Sequence, residues 1–265
     1  MKYSHSEKLE LVDRLIETLG RNQVVFDPND FYCFSSIEKR GQGVEFGFSD
    51  HLKGIVYALL GSQRTWEGIR NNYAAIDRIF LQFDRRLFAL TSISEILKEL
   101  KSIKCGNKNI RRQIEGLVDI INTLEKIENR FSTVDAFIMH KSPLEIAALL
   151  TKSEYKFRGL GPSLVFEYLR NVGVDVAKPD THLMRLFGPN RLGVFTSEKS
   201  SQFEAVALIS DLADVCNMSP AALGTSFWLL CARGYGNICG ATPKCELCEL
   251  RERFCSNVKH EGETC

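Results

Sequence analysis

The stretch "KFRGLGPSLVFEYLRN" at positions 156–171 determines how the rest of the chain is interpreted. Gly159 and Gly161 flank one leucine, a proline follows, and apolar residues then recur at the spacing of an amphipathic helix. Glycine readily adopts left-handed backbone angles, and proline is preferred at the first position of a helix. The stretch therefore predicts a tight turn that opens a helix, with unpaired backbone N–H groups that can face an anion.

Helical spacing dominates the sequence on both sides of this turn. Apolar residues recur three and four positions apart in the ranges 54–60, 93–103, 110–127 and 203–215. Ser142 to Glu145 has the pattern of a capping box, and Ser92 to Glu95 repeats its spacing. Only "QGVEFGF", residues 42–48, alternates well enough to predict a short strand. We therefore predict a mainly α fold.

The composition excludes several classes of protein. Charged residues make up 25% and apolar residues 44% of 265 positions, which is typical of a globular protein rather than a disordered or fibrous one. Charges interrupt the apolar residues of the first twenty positions, which predicts neither a signal peptide nor a membrane span. We expect an intracellular protein, in the cytoplasm, nucleoid or nucleus. The net charge of +1 identifies no partner.

Four of the nine cysteines lie in "CGATPKCELCELRERFC", residues 239–255: Cys239, Cys245, Cys248 and Cys255. Thiols stay reduced inside cells, so a cluster of this kind indicates a metal site before disulfides. One pair with a two-residue gap stands between two outlying cysteines, which suits a [4Fe-4S] cluster better than the paired cysteines of a zinc ribbon. Structural zinc or no metal remains the alternative, and Cys231 lies near enough to replace one ligand.

Asp180 lies in "KPDTHLMRLFG", residues 178–188, where a helix should begin. An aspartate at this position caps the helix and contributes about 1 kcal/mol. The helix dipole also favours the ionised form of a carboxylate there. Structural capping and a chemical role for this carboxylate are therefore compatible.

The order of these features resembles the helix-hairpin-helix (HhH-GPD) DNA glycosylase superfamily, in its endonuclease III-like form with a carboxy-terminal iron-sulfur loop. "LLGSQRT", residues 59–65, is similar to the family's Leu-Leu-Ser-x-Gln-x-Thr segment. "FWLLCARGYGNIC", residues 227–239, is similar to the tryptophan-containing helix that leads into the cluster loop. The resemblance covers residues 50 to 255.

The resemblance implies a role for individual residues. Asp180 matches the catalytic aspartate, and Gln63 matches the glutamine that enters the duplex where the target base has left. Gly159, Leu160 and Gly161 match the hairpin that grips the DNA backbone. The four clustered cysteines match the ligands of the [4Fe-4S] cofactor, although their gaps are five, two and six residues where the family has six, two and five.

Ser163 departs from the bifunctional members, which have a lysine at this place in the hairpin. That lysine forms an imine with the sugar C1′, which a serine hydroxyl cannot do. The resemblance thus predicts a monofunctional DNA glycosylase of base excision repair, a monomer whose partner is double-stranded DNA with a damaged or mismatched base. The alternatives are a lyase that uses a relocated Lys152, Lys156 or Lys178, a non-catalytic binder of distorted DNA, and a redox protein.

Two further features complete the expectations. We predict a central helical lobe, residues 50–171, that ends with the hairpin, and a second lobe formed by residues 1–49 and 172–265. The run "KSIKCGNKNIRR", residues 101–112, holds five basic residues and no acidic one. Such a run can follow DNA phosphates or form an ordinary solvated face.

Overall fold

The computed structural model describes residues 3–62, 66–195 and 201–256, which contain helices and no strand. The helices are α1 (His5–Arg21), α2 (Tyr32–Gly41), α3 (Phe48–Leu60), α4 (Trp66–Arg70), α5 (Tyr73–Ile79), α6 (Arg85–Leu90), α7 (Ile93–Ser102), α8 (Ile110–Glu115), α9 (Leu117–Phe131), α10 (Val134–Met139), α11 (Pro143–Lys152), α12 (Pro162–Asn171), α13 (Thr181–Phe187), α14 (Gln202–Cys216), α15 (Pro220–Cys231) and α16 (Arg251–Phe254). Short 3-10 turns lie at Pro28–Asp30, Leu81–Phe83 and Cys245–Leu247. The prediction of a mainly α fold is confirmed.

The predicted strand at residues 42–48 is wrong. This stretch is a loop that leads into α3. The N–H of Phe46 donates to Asp135 at 3.2 Å and that of Gly47 donates to Asp50 at 2.9 Å. Because carboxylates satisfy these backbone groups, the loop needs no partner strand.

One of the two predicted capping boxes forms. Ser142 and Glu145 exchange hydrogen bonds at the start of α11, as their spacing predicts. Ser92 precedes α7, but its hydroxyl pairs with Ser94 at 2.7 Å and caps no backbone N–H. A local side-chain contact therefore displaces the second box.

The chain divides into two compact units. The hairpin unit is Pro28–Val174, and the cysteine unit combines Met1–Asp27 with Asp175–Cys265. Residues 28–49, which the sequence places in the other lobe, thus lie with the hairpin. The reason is that α2 and α3 both pack against α12.

A buried polar network holds these elements of the hairpin unit together. Asp135 is 6% exposed and accepts two hydrogen bonds from the Arg40 guanidinium, at 2.6 and 3.2 Å. Arg40 also donates to the carbonyl of Val172 at 3.0 Å. The His51 ring lies between Asp135, 3.4 Å from its Nε2, and the Tyr168 hydroxyl, 2.8 Å from its Nδ1. Burial lowers the pKa of His51, so the ring is neutral at pH 7.

In the cysteine unit, α1, α14 and α15 pack against one another and α13 packs on α15. Gly224 lets α15 approach the segment before α13 closely, because a Cβ at this position would lie 2.8 Å from that of Ala177. Within the described part of the chain, no single helix is long and apolar enough to cross a membrane, and α14 with α15 reaches that length only across a bend of 111°.

Candidate active site

The hairpin forms as the sequence predicts. Between α11 and α12, the Phe157 N–H donates to the Leu150 carbonyl at 2.9 Å and the Leu160 N–H to the Phe157 carbonyl at 3.2 Å. Gly159 has a φ of +86°, a left-handed conformation that favours glycine. Leu160 is 4% exposed and anchors the turn in the apolar core.

Some backbone N–H groups are unpaired among the described residues where the hairpin leads into α12. Gly161 is the N-cap and contributes no side-chain acceptor, while Pro162 has no N–H. The N–H groups of Gly161 and Ser163 have no acceptor among the described residues. Unpaired N–H groups at the positive end of a helix dipole bind anions, and a DNA phosphate has the chemistry that suits them.

Ser163 is the second residue of α12 and is half-buried. Its hydroxyl makes no hydrogen bond within the described part of the chain. Lys152 and Lys156 are exposed side chains of the same unit, whereas Lys178 is half-buried in the cysteine unit. The hairpin residues therefore come together in one unit, and Ser163 places a hydroxyl rather than an amine at the start of α12.

Asp180 caps α13, as its position in the sequence predicts. Its Oδ1 accepts from the backbone N–H groups of His182 at 2.8 Å and Leu183 at 3.2 Å. The side chain is half-buried, and Oδ2 has no hydrogen-bond partner among the described residues. One carboxylate oxygen thus fixes the orientation of the side chain and leaves the other for chemistry.

The segment that presents Asp180 is anchored at its other end by Asp175. The Oδ1 atom of Asp175 accepts from the Ser219 hydroxyl at 2.7 Å and from the Ala221 N–H at 2.9 Å, at the start of α15. Asp175 was not among the predicted site residues. Ser219-Pro220 reads as a helix start, but no spacing rule identifies a carboxylate 44 residues away as its partner.

Arg185 joins the helix of Asp180 to the first clustered cysteine. Its Nη2 lies 3.1 Å from Nδ1 of His182 and 3.5 Å from the carbonyl oxygen of Cys239. The His182 ring in turn lies edge-on to Trp228, with 6.2 Å between the ring centroids. Arg185 was not predicted either, since a basic residue in the last turn of a helix is common.

The four clustered cysteines line one pocket of the cysteine unit. Its empty space, including the open mouth, is about 380 Å³. Its charged lining residues are Arg191, Lys244 and Arg251, and none of the described residues that line it is a carboxylate. Burial, followed by the charges of the other three cysteines, raises the pKa of Cys248 to about 11.

These residues fit the donor set of an iron-sulfur cluster, because four thiols converge where cations offset the charge of thiolates. The described side chains nevertheless form no group of three or more His, Cys, Asp or Glu residues that could hold a metal ion. The cluster therefore stays a prediction.

A fifth thiol lies beside the pocket. Cys231, 1% exposed, donates a hydrogen bond to Sγ of Cys239. This bond, with the positive charges of Arg191 and Arg185, lowers the pKa of Cys239 to about 7 against the effect of burial. Cys231 is not among the described residues that line the pocket itself.

Gln63 lies outside the described residues. The helix that leads to it, α3, ends at Leu60. Of the predicted site residues, the hairpin unit thus contains Gly159, Leu160, Gly161 and Ser163, and the cysteine unit contains Asp180 and the four cysteines.

With this geometry, the chain has the helical fold of the DNA glycosylases. The 8-oxoguanine DNA glycosylase of Thermotoga maritima superposes with a TM-score of 0.58, at 18% identity, over 84% of this chain and 96% of its own. The 8-oxoguanine glycosylase/lyase of Methanocaldococcus jannaschii, solved with a DNA 15mer containing 8-oxoguanine, superposes with a TM-score of 0.56, at 18% identity, over 83% and 96%. No family model matches the sequence, and no curated protein matches it.

Proposed function

We propose that the protein is a DNA glycosylase of base excision repair that releases a damaged or mismatched base from duplex DNA and leaves the strand uncut. The observation that carries the proposal is the Asp180 carboxylate, held through one oxygen at the start of α13 while the other oxygen is unpaired among the described residues. The likeness of the fold to DNA glycosylases supports it.

The chemistry begins with extrusion of the target nucleotide, because a base inside the stack cannot be reached. Scission of the N-glycosidic bond then develops positive charge on the deoxyribose. A fixed carboxylate near C1′ stabilises this charge and orients the attacking water. The open N–H groups of the hairpin would hold a backbone phosphate during this step, without reading sequence.

Ser163 supports release of the base without strand cleavage. A lyase needs an amine that attacks C1′, displaces the base and forms an imine, from which the 3′ phosphate is eliminated so that the strand is cut. A hydroxyl at this position cannot form the imine, so water is left as the nucleophile. The Methanocaldococcus neighbour is described as a glycosylase/lyase, and this chain would differ from it in the second activity.

The neighbours indicate which base to examine first. Both act on 8-oxoguanine by their descriptions, so an oxidised guanine opposite cytosine is the first candidate substrate. The test is a panel of duplexes, each with one oxidised, alkylated, deaminated or mismatched base, analysed with and without alkali. We expect strand breaks at one lesion only after alkali; a panel without any alkali-dependent break would contradict the proposal.

The [4Fe-4S] cofactor is part of the proposal. Cys239, Cys245, Cys248 and Cys255 would hold it. It would supply a covalent link that fixes the loop 239–255, rather than a step of the reaction.

Protein purified without oxygen should contain about four iron and four sulfide per chain. Cys248→Ser should lose most of both and lower the midpoint of thermal unfolding. Cys216→Ser, at the end of α14, is the matched control and should keep the metal. About one zinc per chain, or iron retained in the Cys248 variant, would contradict the assignment.

The Ser163→Lys variant should gain borohydride trapping, because it restores an amine at the start of α12. Wild-type protein should form no trapped complex with the same lesion duplex. Efficient trapping by the wild type that disappears on replacement of Lys152, Lys156 or Lys178 would show a relocated lyase and overturn the monofunctional assignment.

A further inference from the structure

The basic run at residues 101–112, here named the cationic segment, carries positive charge of which only a small part is compensated by a neighbouring acidic residue. It spans the end of α7, a loop and the first half of α8. Lys101, Lys104, Lys108 and Arg112 are exposed, and none has an ion-pair or hydrogen-bond partner among the described residues. Arg111 lies 3.6 Å from Glu115, one helical turn away, in a solvent-exposed pair.

Many other cations of the hairpin unit do have acidic partners. Lys53 pairs with Asp77 at 2.8 Å, and Arg85 pairs with Glu128 at 2.6 Å. Lys126 and Arg130 of α9 both pair with Glu154, which follows α11, at 3.3 and 3.1 Å. The cationic segment differs in density: five basic residues lie within twelve positions, and four of them have no ion pair among the described residues.

The segment lies beside two elements that would contact DNA under the proposed function, the end of α3 and the hairpin. Asn107 donates to the carbonyl of Leu59 at 3.3 Å, in the last turn of α3, and to Gln113 at 3.0 Å. At the far end of α8, a Cβ on Gly116 would lie 3.8 Å from the carbonyl oxygen of Arg158, the residue before the hairpin glycine. The Asn107 hydrogen bond thus fixes the segment against the end of α3, and the end of α8 lies close to the hairpin.

The length of α8 can be compared with the spacing of DNA phosphates. Its six residues rise about 9 Å. One strand of duplex DNA carries a phosphate for about every 3.4 Å of axis. The length of α8 therefore corresponds to about two to three phosphate intervals along one strand.

We propose that the cationic segment is a second phosphate-binding surface of the hairpin unit, which binds the duplex backbone without reading sequence. The inference rests on the proposed function only for the identity of the polyanion as duplex DNA. Exposed lysines without acidic partners lose no ion pair on binding, and each phosphate contact releases counterions.

The test compares two triple variants of the full chain. The first, Lys101→Gln with Lys104→Gln and Lys108→Gln, removes three charges of the segment. The matched control, Lys39→Gln with Arg78→Gln and Arg86→Gln, removes three exposed charges elsewhere in the same unit that have no ion pair among the described residues. Fluorescence anisotropy with undamaged and lesion duplexes, over a series of NaCl concentrations, gives the slope of log K against log salt.

We expect the segment variant to reduce this slope by about 2–3, since each lost phosphate contact removes roughly 0.9. Undamaged and lesion duplexes should weaken by the same factor, because phosphate contacts carry no sequence information. The control should change the slope by much less. A segment variant with the wild-type slope, or a control with an equal reduction, would overturn the proposal.

A single variant separates charge from folding. Lys104 has a φ of +56°, where glycine is more favourable than lysine. Lys104→Gly should therefore keep or raise the urea midpoint while it lowers the slope by about 0.9. An unchanged slope in this variant also contradicts the surface.

The outcome is separable from that of the proposed function. If the wild type releases no base but the slopes differ as expected, the surface stands and the glycosylase fails. If base is released but the segment variant has the wild-type salt slope, the glycosylase proposal stands and the phosphate-binding surface fails.

Discussion

Asp180→Asn is expected to slow base release by roughly a hundredfold to a thousandfold, the usual cost of removing one electrostatic contact to a transition state. Asparagine caps helices as well as aspartate does, so α13 should stay folded. Affinity for the lesion duplex should persist or increase, because one negative charge near the phosphates is removed. Single-turnover rates and anisotropy measure the two effects separately.

The chain offers a matched control at Asp84. Its Oδ1 caps α6 with the same geometry, accepting from the Arg86 N–H at 2.8 Å and the Leu87 N–H at 3.3 Å. Asp84→Asn should leave the rate of base release unchanged. If Asp180→Asn behaves in the same way, Asp180 is a helix cap and nothing more.

The second large effect concerns the stability of the hairpin unit. Asp135→Asn should reduce the free energy of unfolding by about 3–5 kcal/mol, because it leaves the largely buried guanidinium of Arg40 without its carboxylate. Glu154→Gln, which removes an exposed partner of Lys126 and Arg130, should have little effect. Urea unfolding of both variants checks this, and equal midpoints would show that the buried network does not stabilise the unit.

The same network predicts loss of stability in acid. Burial acts to raise the pKa of Asp135, but the adjacent His51 ring and hydrogen bonds from Arg40 and the Phe46 N–H hold it well below its usual range. Its contribution is complete above the unfolded pKa of about 4 and is lost as the pH falls below that value. His51, with its pKa lowered by burial, acts in the same direction from about pH 6.5 downward.

Stability should therefore fall on acidification from about pH 6.5, and more steeply below about pH 4. In Asp135→Asn, stability should depend less steeply on pH below about pH 4 than it does in the wild type. A midpoint of urea unfolding that is independent of pH in the wild type would contradict this account.

Local features of the fold were predictable because neighbouring residues encode them. The Gly-x-Gly-Pro stretch predicted the hairpin, and Ser142 and Asp180 predicted helix starts. The strand at residues 42–48 was predicted wrongly because alternation cannot show that Asp135, 89 residues from Phe46, bonds to the loop. The unit boundary at Pro28 depends likewise on the packing of α2 against α12.

The candidate site shows the same limit. The sequence singled out Asp180 and the four cysteines by type and spacing, and the structure places them in one unit. The sequence could not identify Arg185, whose contact with the Cys239 carbonyl joins residues 54 positions apart. Nor could it indicate that Asn107 holds the basic run against the end of α3. Such contacts arise from packing, for which residue spacing carries no signal.

The most direct measurement is the amount of free base released, compared with the number of strands cut before alkali, from a duplex that contains one 8-oxoguanine opposite cytosine. We expect stoichiometric free base, with strand breaks near zero until alkali is added, and loss of the base signal in Asp180→Asn. Strand breaks equal to the base released, or base release that survives in Asp180→Asn, would contradict it.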